Sequence, residues 1–236
     1  MERLAPHDLR AVIAALDELD ASDGIDAFAG RVLPLLHALV PFDVATYNEV
    51  DNRRGRIITI TEPLGGLPDD GYERFTPLMS QHPIIQHLRR SHDTRPVKFS
   101  DFLSQRQFHQ LGLYQDFFRV VGVEHQIAVS LPARPPLLVG IALNRARGDF
   151  SERERLLLEL MRPQLLRTYR QTQARALVGR TVAALERALE ADGRAVVLLA
   201  RGGRAPLLSA LARRWLEQYF GRPLRRSAPL PDDVAG

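Results

Sequence analysis

Residues 125–144 read HQIAVSLPARPPLLVGIALN, and the fold follows from their pattern. In His125–Leu131, the side chains of Ile127, Val129 and Leu131 alternate with Gln126, Ala128 and Ser130. In Leu137–Asn144, Val139, Ile141 and Leu143 alternate with Leu138, Gly140 and Ala142. A period of two puts alternate side chains on opposite faces of a sheet. The stretch therefore predicts two strands joined by PARPP, with one bulky apolar face and one face of mostly small residues. Small residues admit either a closely packed helix, the commoner case, or a ligand.

Upstream, DVATYNEV (43–50) and RIITITE (56–62) are rich in β-branched and aromatic residues, and DNRRG (51–55) between them reads as a hairpin loop. Residues 72–122 carry short apolar clusters and are too long for one structureless loop, so they predict several short helices laid over the sheet. Ser100 and Asp101 are candidate caps there. Helical spacing of Leu9, Val12, Ile13, Leu16 and Leu19 predicts a first helix, broken at Ser22, Asp23 and Gly24. A second helix carries Phe28, Val32, Leu35, Leu36, Leu39 and Val40 and stops before Pro41.

Downstream, Ser151 and Glu154 have capping-box spacing and open a long helix through Leu157, Met161, Leu165, Tyr169, Val182 and Leu189. Pro163 is expected to kink it, because proline lacks the donor and crowds the carbonyl four residues back. After Asp192 and Gly193 the pattern predicts a strand over Ala195–Ala200 and a tight turn at Gly202 and Gly203. A helix from Pro206 then carries Leu211, Trp215, Leu216 and Phe220. The remaining GRPLRRSAPLPDDVAG reads as a tail.

Composition narrows the classes. Of 32 basic residues only Lys98 is a lysine, and 28 carboxylates bring the net charge to +4. Those charges are interspersed, which suits a solvated surface better than a phosphate-binding stripe; the exception is the short run Arg222, Arg225 and Arg226. The absence of cysteine excludes disulfides, thiolate metal sites and a cysteine nucleophile, and fits a reducing compartment. The N-terminal MERLAPHDLRAVIAALDELD is not shaped like a signal peptide, and no apolar run approaches the ~18 residues of a membrane span. A cytoplasmic protein with no membrane partner is expected.

The order of elements and three segments together resemble the GAF-like input region of LuxR-type transcription regulators. LVPFDVATYNEVDNRRG looks like its first strand and hairpin. FSDFLSQRQFHQLGLYQDFFRVVGVEHQIAVSLP looks like its helical cover and central strand, and VGIALNRARGDFSERERLLLELMRPQLLRTYRQTQA like its last strand and exit helix. AVVLLARGGRAPLLSALARRWLEQYF is similar to the start of a PAS domain.

The resemblance implies an α+β fold: a GAF/PAS-like antiparallel sheet with flanking helices, a long exit helix, and a partial PAS-like strand-turn-helix segment. It implies a sensor domain over 1–170, a signalling helix over 171–192 and an incomplete PAS-like segment with a tail over 193–236. The implied role is sensory and dimerising, with a homodimer contact through 151–191 and an unknown small-molecule ligand. The helix-turn-helix of such regulators is not found in these residues, so sequence-specific DNA binding by this chain alone is not expected. The acyl-homoserine-lactone contacts of the family do not carry over: the one tryptophan, Trp215, lies outside the sensor region, and His82–Pro83 stands where Asp–Pro is expected.

Candidate site residues follow from the same frame. In a GAF-like fold a small ligand lies between sheet and cover, which singles out Tyr47, Phe75, Phe108, Tyr114 and Phe118, with His82 and Gln126; Tyr72 and Phe117 share the region. Plain core packing remains the ordinary alternative for the aromatics. His82, His87 and His92 recur every five residues, a rotation of about 140° per step on a helix, so they do not converge on a metal. The chain has no GxSxG elbow, Walker A loop or GxGxxG fingerprint, so no catalytic site is expected, and any cofactor is unknown. The alternative to a sensor is a small-molecule enzyme on a GAF-like scaffold, kept open by the histidines.

Overall fold

A computed structural model describes residues 4–19, 24–51, 53–54, 56–68, 70–91, 93–131, 133, 137–198 and 207–221. The chain divides into two compact units, Met1–Gln173 and Ala174–Gly236.

The first unit is built on one five-stranded antiparallel sheet. Its strands are β1 (Val44–Asp51), β2 (Arg56–Glu62), β3 (Val97–Lys98), β4 (His125–Leu131) and β5 (Leu137–Arg145), in the spatial order β2-β1-β5-β4-β3. Helices α1 (Pro6–Glu18) and α2 (Ile25–Leu39) precede it. Between β2 and β4 run α3 (Gly71–Phe75), a 3₁₀ segment Thr76–Gln81, α4 (Pro83–Ser91), α5 (Gln105–His109) and a π-helical turn Tyr114–Phe118. After β5 comes the long helix α6 (Glu152–Ala191), whose residues run on into the second unit.

Strand parity sorts the layers. Tyr47 pairs with Ile141 and Ile60, and Ile127 with Leu143, so the bulky residues of four strands fall on one face. That face packs against Phe28, Val32, Leu33 and Leu36 of α2 and Leu157, Leu158, Met161 and Leu165 of α6 in one core. Each such side chain contributes about 1.5–3 kcal/mol by leaving water. The other face carries Thr46, Asn48, Thr59, Gln126, Ala128, Ser130, Gly140, Ala142 and Asn144, opposite the segment 71–118. A second cluster of Phe99, Phe108, Leu113, Phe117 and Phe118 holds that cover together.

Charge pins the start of α6. Ser151 and Glu154 form the expected capping box: the Ser151 amide donates to Glu154 at 2.7 Å and the Glu154 amide to Ser151 Oγ at 3.2 Å. Arg145 of β5 pairs with Glu154, and Arg155 with Asp101. Buried Lys98 donates from Nζ to the Phe150 carbonyl and to Glu152, each at 2.9 Å. Arg153 donates from Nε to Asp8 of α1 at 3.0 Å.

Several expectations are corrected. β3 went unread because two residues give no alternation to read. The cap in the cover is Ser104, whose Oγ accepts from the Gln107 amide of α5; Asp101 instead accepts from the Lys98 amide. The long helix expected from Ser151 through Leu189 is found as α6, with Pro163 inside it.

In the second unit, a two-residue β6 (Val197–Leu198) pairs antiparallel with β7 (Leu207–Leu208), and α7 (Ala210–Phe220) begins after Ser209, not near Pro206. Ser209 Oγ accepts from the Ala212 amide at 3.2 Å. Ser22, Asp23, Asn52, Gly55, His92, Gly202, Gly203, Pro206, Arg222, Arg225 and Arg226 lie outside the described residues.

The Arg153 hydrogen bond, with that of the Ala5 amide, pulls the Asp8 carboxyl from 3.8 to about 2. A carboxyl lowered in the folded state adds stability that is complete above its ordinary value and is lost as pH falls through its folded one. Asp8→Asn is expected to lower the urea midpoint at pH 7 and to flatten the stability loss between pH 3.8 and about 2. An acid limb identical to wild type in chemical denaturation series would show that the pair carries no linkage.

Candidate functional site

A cavity of about 460 Å³ lies between the small-residue face of the sheet and the helical cover. That is within the range of small-molecule sites. Its floor exists because of local sequence: Gly140, Ala142, Ala128 and Ser130 carry small side chains, of which Ala128 and Ala142 pack with the aromatic cluster of the cover. Its roof is Tyr72 and Phe75 of α3, Ile84, Ile85 and Leu88 of α4, and Phe117 and Phe118 of the π-helical turn. Phe75 meets Phe117 at 5.2 Å between ring centroids, and Phe99 braces Phe118 from behind at 5.3 Å. Such offset and edge contacts add to area burial and fix the roof's shape.

The polar part of the wall is uncharged and ordered. Thr59 of β2 donates to Asn48 at 3.1 Å, and Asn48 donates to Thr46 at 2.8 Å. Gln126 donates from Nε2 to Asn144 Oδ1 at 2.7 Å, and Asn144 donates to the Val44 carbonyl at 3.0 Å. Gln126 Oε1 is buried without a hydrogen-bond partner. An orphaned buried acceptor costs about 1–3 kcal/mol, so this atom calls for an explanation. None of the described residues lining the cavity is Asp, Glu, Lys or Arg.

His82 is the titratable side chain on the wall besides Tyr72. It is the residue before α4, and its Nδ1 accepts from the Ile85 amide at 3.3 Å, an N-cap contact that leaves the proton on Nε2. Pro83 follows at the first helical position, where its missing donor is harmless. The ring is caged edge-on by Phe75 at 5.8 Å and Phe99 at 5.2 Å, with Phe118 tilted at 5.9 Å. Burial pushes its pKa from 6.5 down to about 3, against an opposing pull from the Gln126 side chain. The imidazole is neutral at physiological pH.

Of the seven candidate residues, Phe75, His82, Phe118 and Gln126 come together on the cavity wall. Tyr47 lies in the core on the other face of the sheet, against Phe28 and Tyr169, with its hydroxyl donating to Glu49 at 2.6 Å. Burial raises its phenol pKa. Phe108 braces the roof from behind, beside Phe99 at 4.7 Å. Tyr114 stacks on His109 at 4.1 Å and donates to Glu124 at 2.5 Å. Thr46, Asn48, Thr59, Ser130 and Asn144 were not singled out from sequence; parity with Gln126 was the available signal. Among the described residues no group of three His, Cys, Asp or Glu side chains is placed to hold a metal ion.

Among solved structures the chain is similar to the LBD domain of VqsR from Pseudomonas aeruginosa. The two share 17% identity over 71% of this chain and 95% of that one, with a TM-score of 0.51. The structure of SdiA in complex with octanoyl-rac-glycerol aligns over 73% of this chain and 69% of its own, at 9% identity and a TM-score of 0.51. A GAF domain from a phosphoenolpyruvate-protein phosphotransferase (ptsP) of Coxiella burnetii aligns over 72% of this chain and 96% of its own, at 14% identity and a TM-score of 0.50. No family model matches the chain, and no curated protein matches it in sequence. The fold is GAF-like, of the kind shared by GAF domains and the ligand-binding domains of LuxR-family regulators.

A histidine kept neutral by the fold adds stability that is complete above its ordinary value and drains as pH falls toward its folded one. The window here runs from 6.5 down to about 3. His82→Asn keeps an acceptor for the Ile85 amide and removes the titration. The variant is expected to lose less melting temperature than wild type between pH 7 and pH 5; equal losses in both would mean that His82 is not the group responsible.

Proposed function

We propose that residues 1–170 are the sensor domain of a bacterial LuxR-type transcription regulator, and that the cavity binds an uncharged, largely apolar small molecule. The observation that carries this reading is the cavity itself: about 460 Å³, roofed by aromatic and aliphatic side chains, with no Asp, Glu, Lys or Arg among the described residues of its wall. The similarity in fold to a regulator LBD domain and to SdiA, which is seen with octanoyl-rac-glycerol, supports the same role.

Binding rather than catalysis fits the wall. Its polar groups are neutral amides, hydroxyls and one imidazole whose Nδ1 is tied to the Ile85 amide. The departures at His82–Pro83 and Trp215 argue against acyl-homoserine lactones as the natural ligand. Residues 171–192 would carry the signal as a helix towards 193–236, the PAS-like segment, in a cytoplasmic homodimer. Leu177, Val178 and Leu185 of α6 are more than half exposed and suit a contact with a second copy.

Ligand binding is tested with the apolar fluorophore N-phenyl-1-naphthylamine and its displacement by octanoyl-rac-glycerol. Wild-type protein is expected to enhance the fluorescence at micromolar concentrations, and Ala142→Phe, which fills the floor, to abolish it while keeping the wild-type circular dichroism. Enhancement undiminished in a folded Ala142→Phe variant would sink the reading.

Self-association is read separately by light scattering at tens of micromolar. A dimeric mass is expected for wild type and a monomeric one for the Leu177→Gln, Leu185→Gln double variant. A wild-type monomer would remove dimerisation from the proposal.

A further inference from the structure

The cavity is asymmetric in a way that specifies chemistry. One end is closed by two polar side chains, Gln126 and His82, that are 4% and 5% exposed; the aromatic roof and small-residue floor form the rest. The orientation of each polar group is set from outside the cavity. Asn144 donates its amide to the Val44 main-chain carbonyl, so its Oδ1 is what faces Gln126. Gln126 must therefore present Nε2 to Asn144, which leaves Oε1 to the His82 side chain, with no hydrogen bond of full geometry closed between the two. His82 is held just as firmly, with Nδ1 occupied by the Ile85 amide and Nε2 left carrying its proton.

Resting on the reading of this cavity as a ligand site, we propose that this end is a subsite for an uncharged headgroup that donates and accepts a hydrogen bond at once, an alcohol hydroxyl above all. The hydroxyl donates to Gln126 Oε1 and accepts from His82 Nε2–H, and its alkyl chain lies between Phe75, Phe118 and the Ala128–Ala142 floor. An ether or ester oxygen only accepts, so it satisfies His82 and leaves the Gln126 oxygen orphaned. A carboxylate only accepts as well, and it brings a charge to a wall whose described residues include no Lys or Arg to meet it. The subsite thus selects by donor count and by charge, not by size.

Two isomers separate these effects. Nonan-1-ol and 1-methoxyoctane have the same atoms, and the ether is the more apolar, so hydrophobic burial alone ranks the ether first. Displacement of N-phenyl-1-naphthylamine by each, and by nonanoate, gives the order. The alcohol is expected to bind about tenfold more tightly than the ether, a factor typical of one satisfied buried acceptor, with nonanoate weakest. Gln126→Leu, similar in volume, is expected to erase the alcohol's advantage while still binding the ether and the fluorophore; Gln126→Met serves in its place where the leucine variant does not fold. Equal affinity of the two isomers for wild type, as when a water already bridges Gln126 and His82, overturns the headgroup subsite and leaves the cavity reading intact. Tightest binding of nonanoate overturns it too. Failure of every probe to bind the wild-type protein overturns the cavity reading itself, and the subsite with it.

Discussion

Gly140, Ala142 and Asn144 alternate along β5 with Val139, Ile141 and Leu143, and this difference in bulk constrains every layer of the first unit. On the bulky side, side chains from four strands, α2 and α6 meet in one close-packed core. On the other side the floor is a methyl group or less at several positions, so a cover resting on it has to arch. Protein interiors do not tolerate voids cheaply, because lining atoms lose their dispersion partners. The cover keeps its arch through contacts of its own, Phe99, Phe108, Phe117 and Phe118 packing on one another, and meets the floor at Ala128 and Ala142. The cavity is thus a consequence of strand alternation on one side and an aromatic cluster on the other.

The first turn of α6 is where the sheet, its edge and the N-terminal helix are tied. Lys98 reaches it from β3, Arg145 from β5, and Asp8 from α1 through Arg153. A helix start bears unpaired amides and partial positive charge, which Glu152 and Glu154 offset before the basic residues pair with them. The guanidinium of Arg145 also lies 4.1 Å from the centroid of the Phe150 ring, packing its flat face as well as pairing its charge. The single lysine of the chain donates to a carbonyl and a carboxylate at once from a buried position. These contacts fix the end of α6 that enters the first unit, and the apolar side chains of Leu157, Leu158, Met161 and Leu165 continue the attachment along the sheet.

How much of this was legible in the sequence depended on the length of each signal. β1, β2, β4 and β5 each offer seven or more residues of branched or alternating side chains, and their bounds were readable to within a residue or so. β3 has two residues, and β7 has two, so neither sustains a period. The capping box of α6 was readable because both members lie three apart in sequence; the Lys98 bridge to Glu152 spans 54 residues and leaves no local trace. At the site, aromatic type was a weaker guide than parity. Tyr47 is aromatic and faces the packed core, whereas its neighbours Thr46 and Asn48 face the cavity, as the pairing of Thr46 with Ala142 requires. Phe108 and Tyr114 belong to the cover but back the roof, a distinction set by a π-helical turn that no sequence period announces.

The same alternation bears on how an occupant of the cavity would be felt elsewhere. Ala142 faces the cavity and Ile141, its neighbour in β5, faces the core that holds α6; Ala128 and Ile127 are related in the same way in β4. A ligand seated on the floor is therefore one backbone residue away from the packing of α6, with no loop or water layer between. A ligand shifts a conformational equilibrium only by its difference in affinity for the two states. That difference has a physical source here, because the cavity volume and the seating of Leu157, Leu158 and Met161 are opposite faces of the same strands. Any change in strand curvature that closes around a ligand must also alter the surface offered to α6. Under the proposed sensor role, the coupling between ligand and helix would run through β4 and β5, and substitutions that change bulk on either face, at Ala142 or at Ile141, would perturb both.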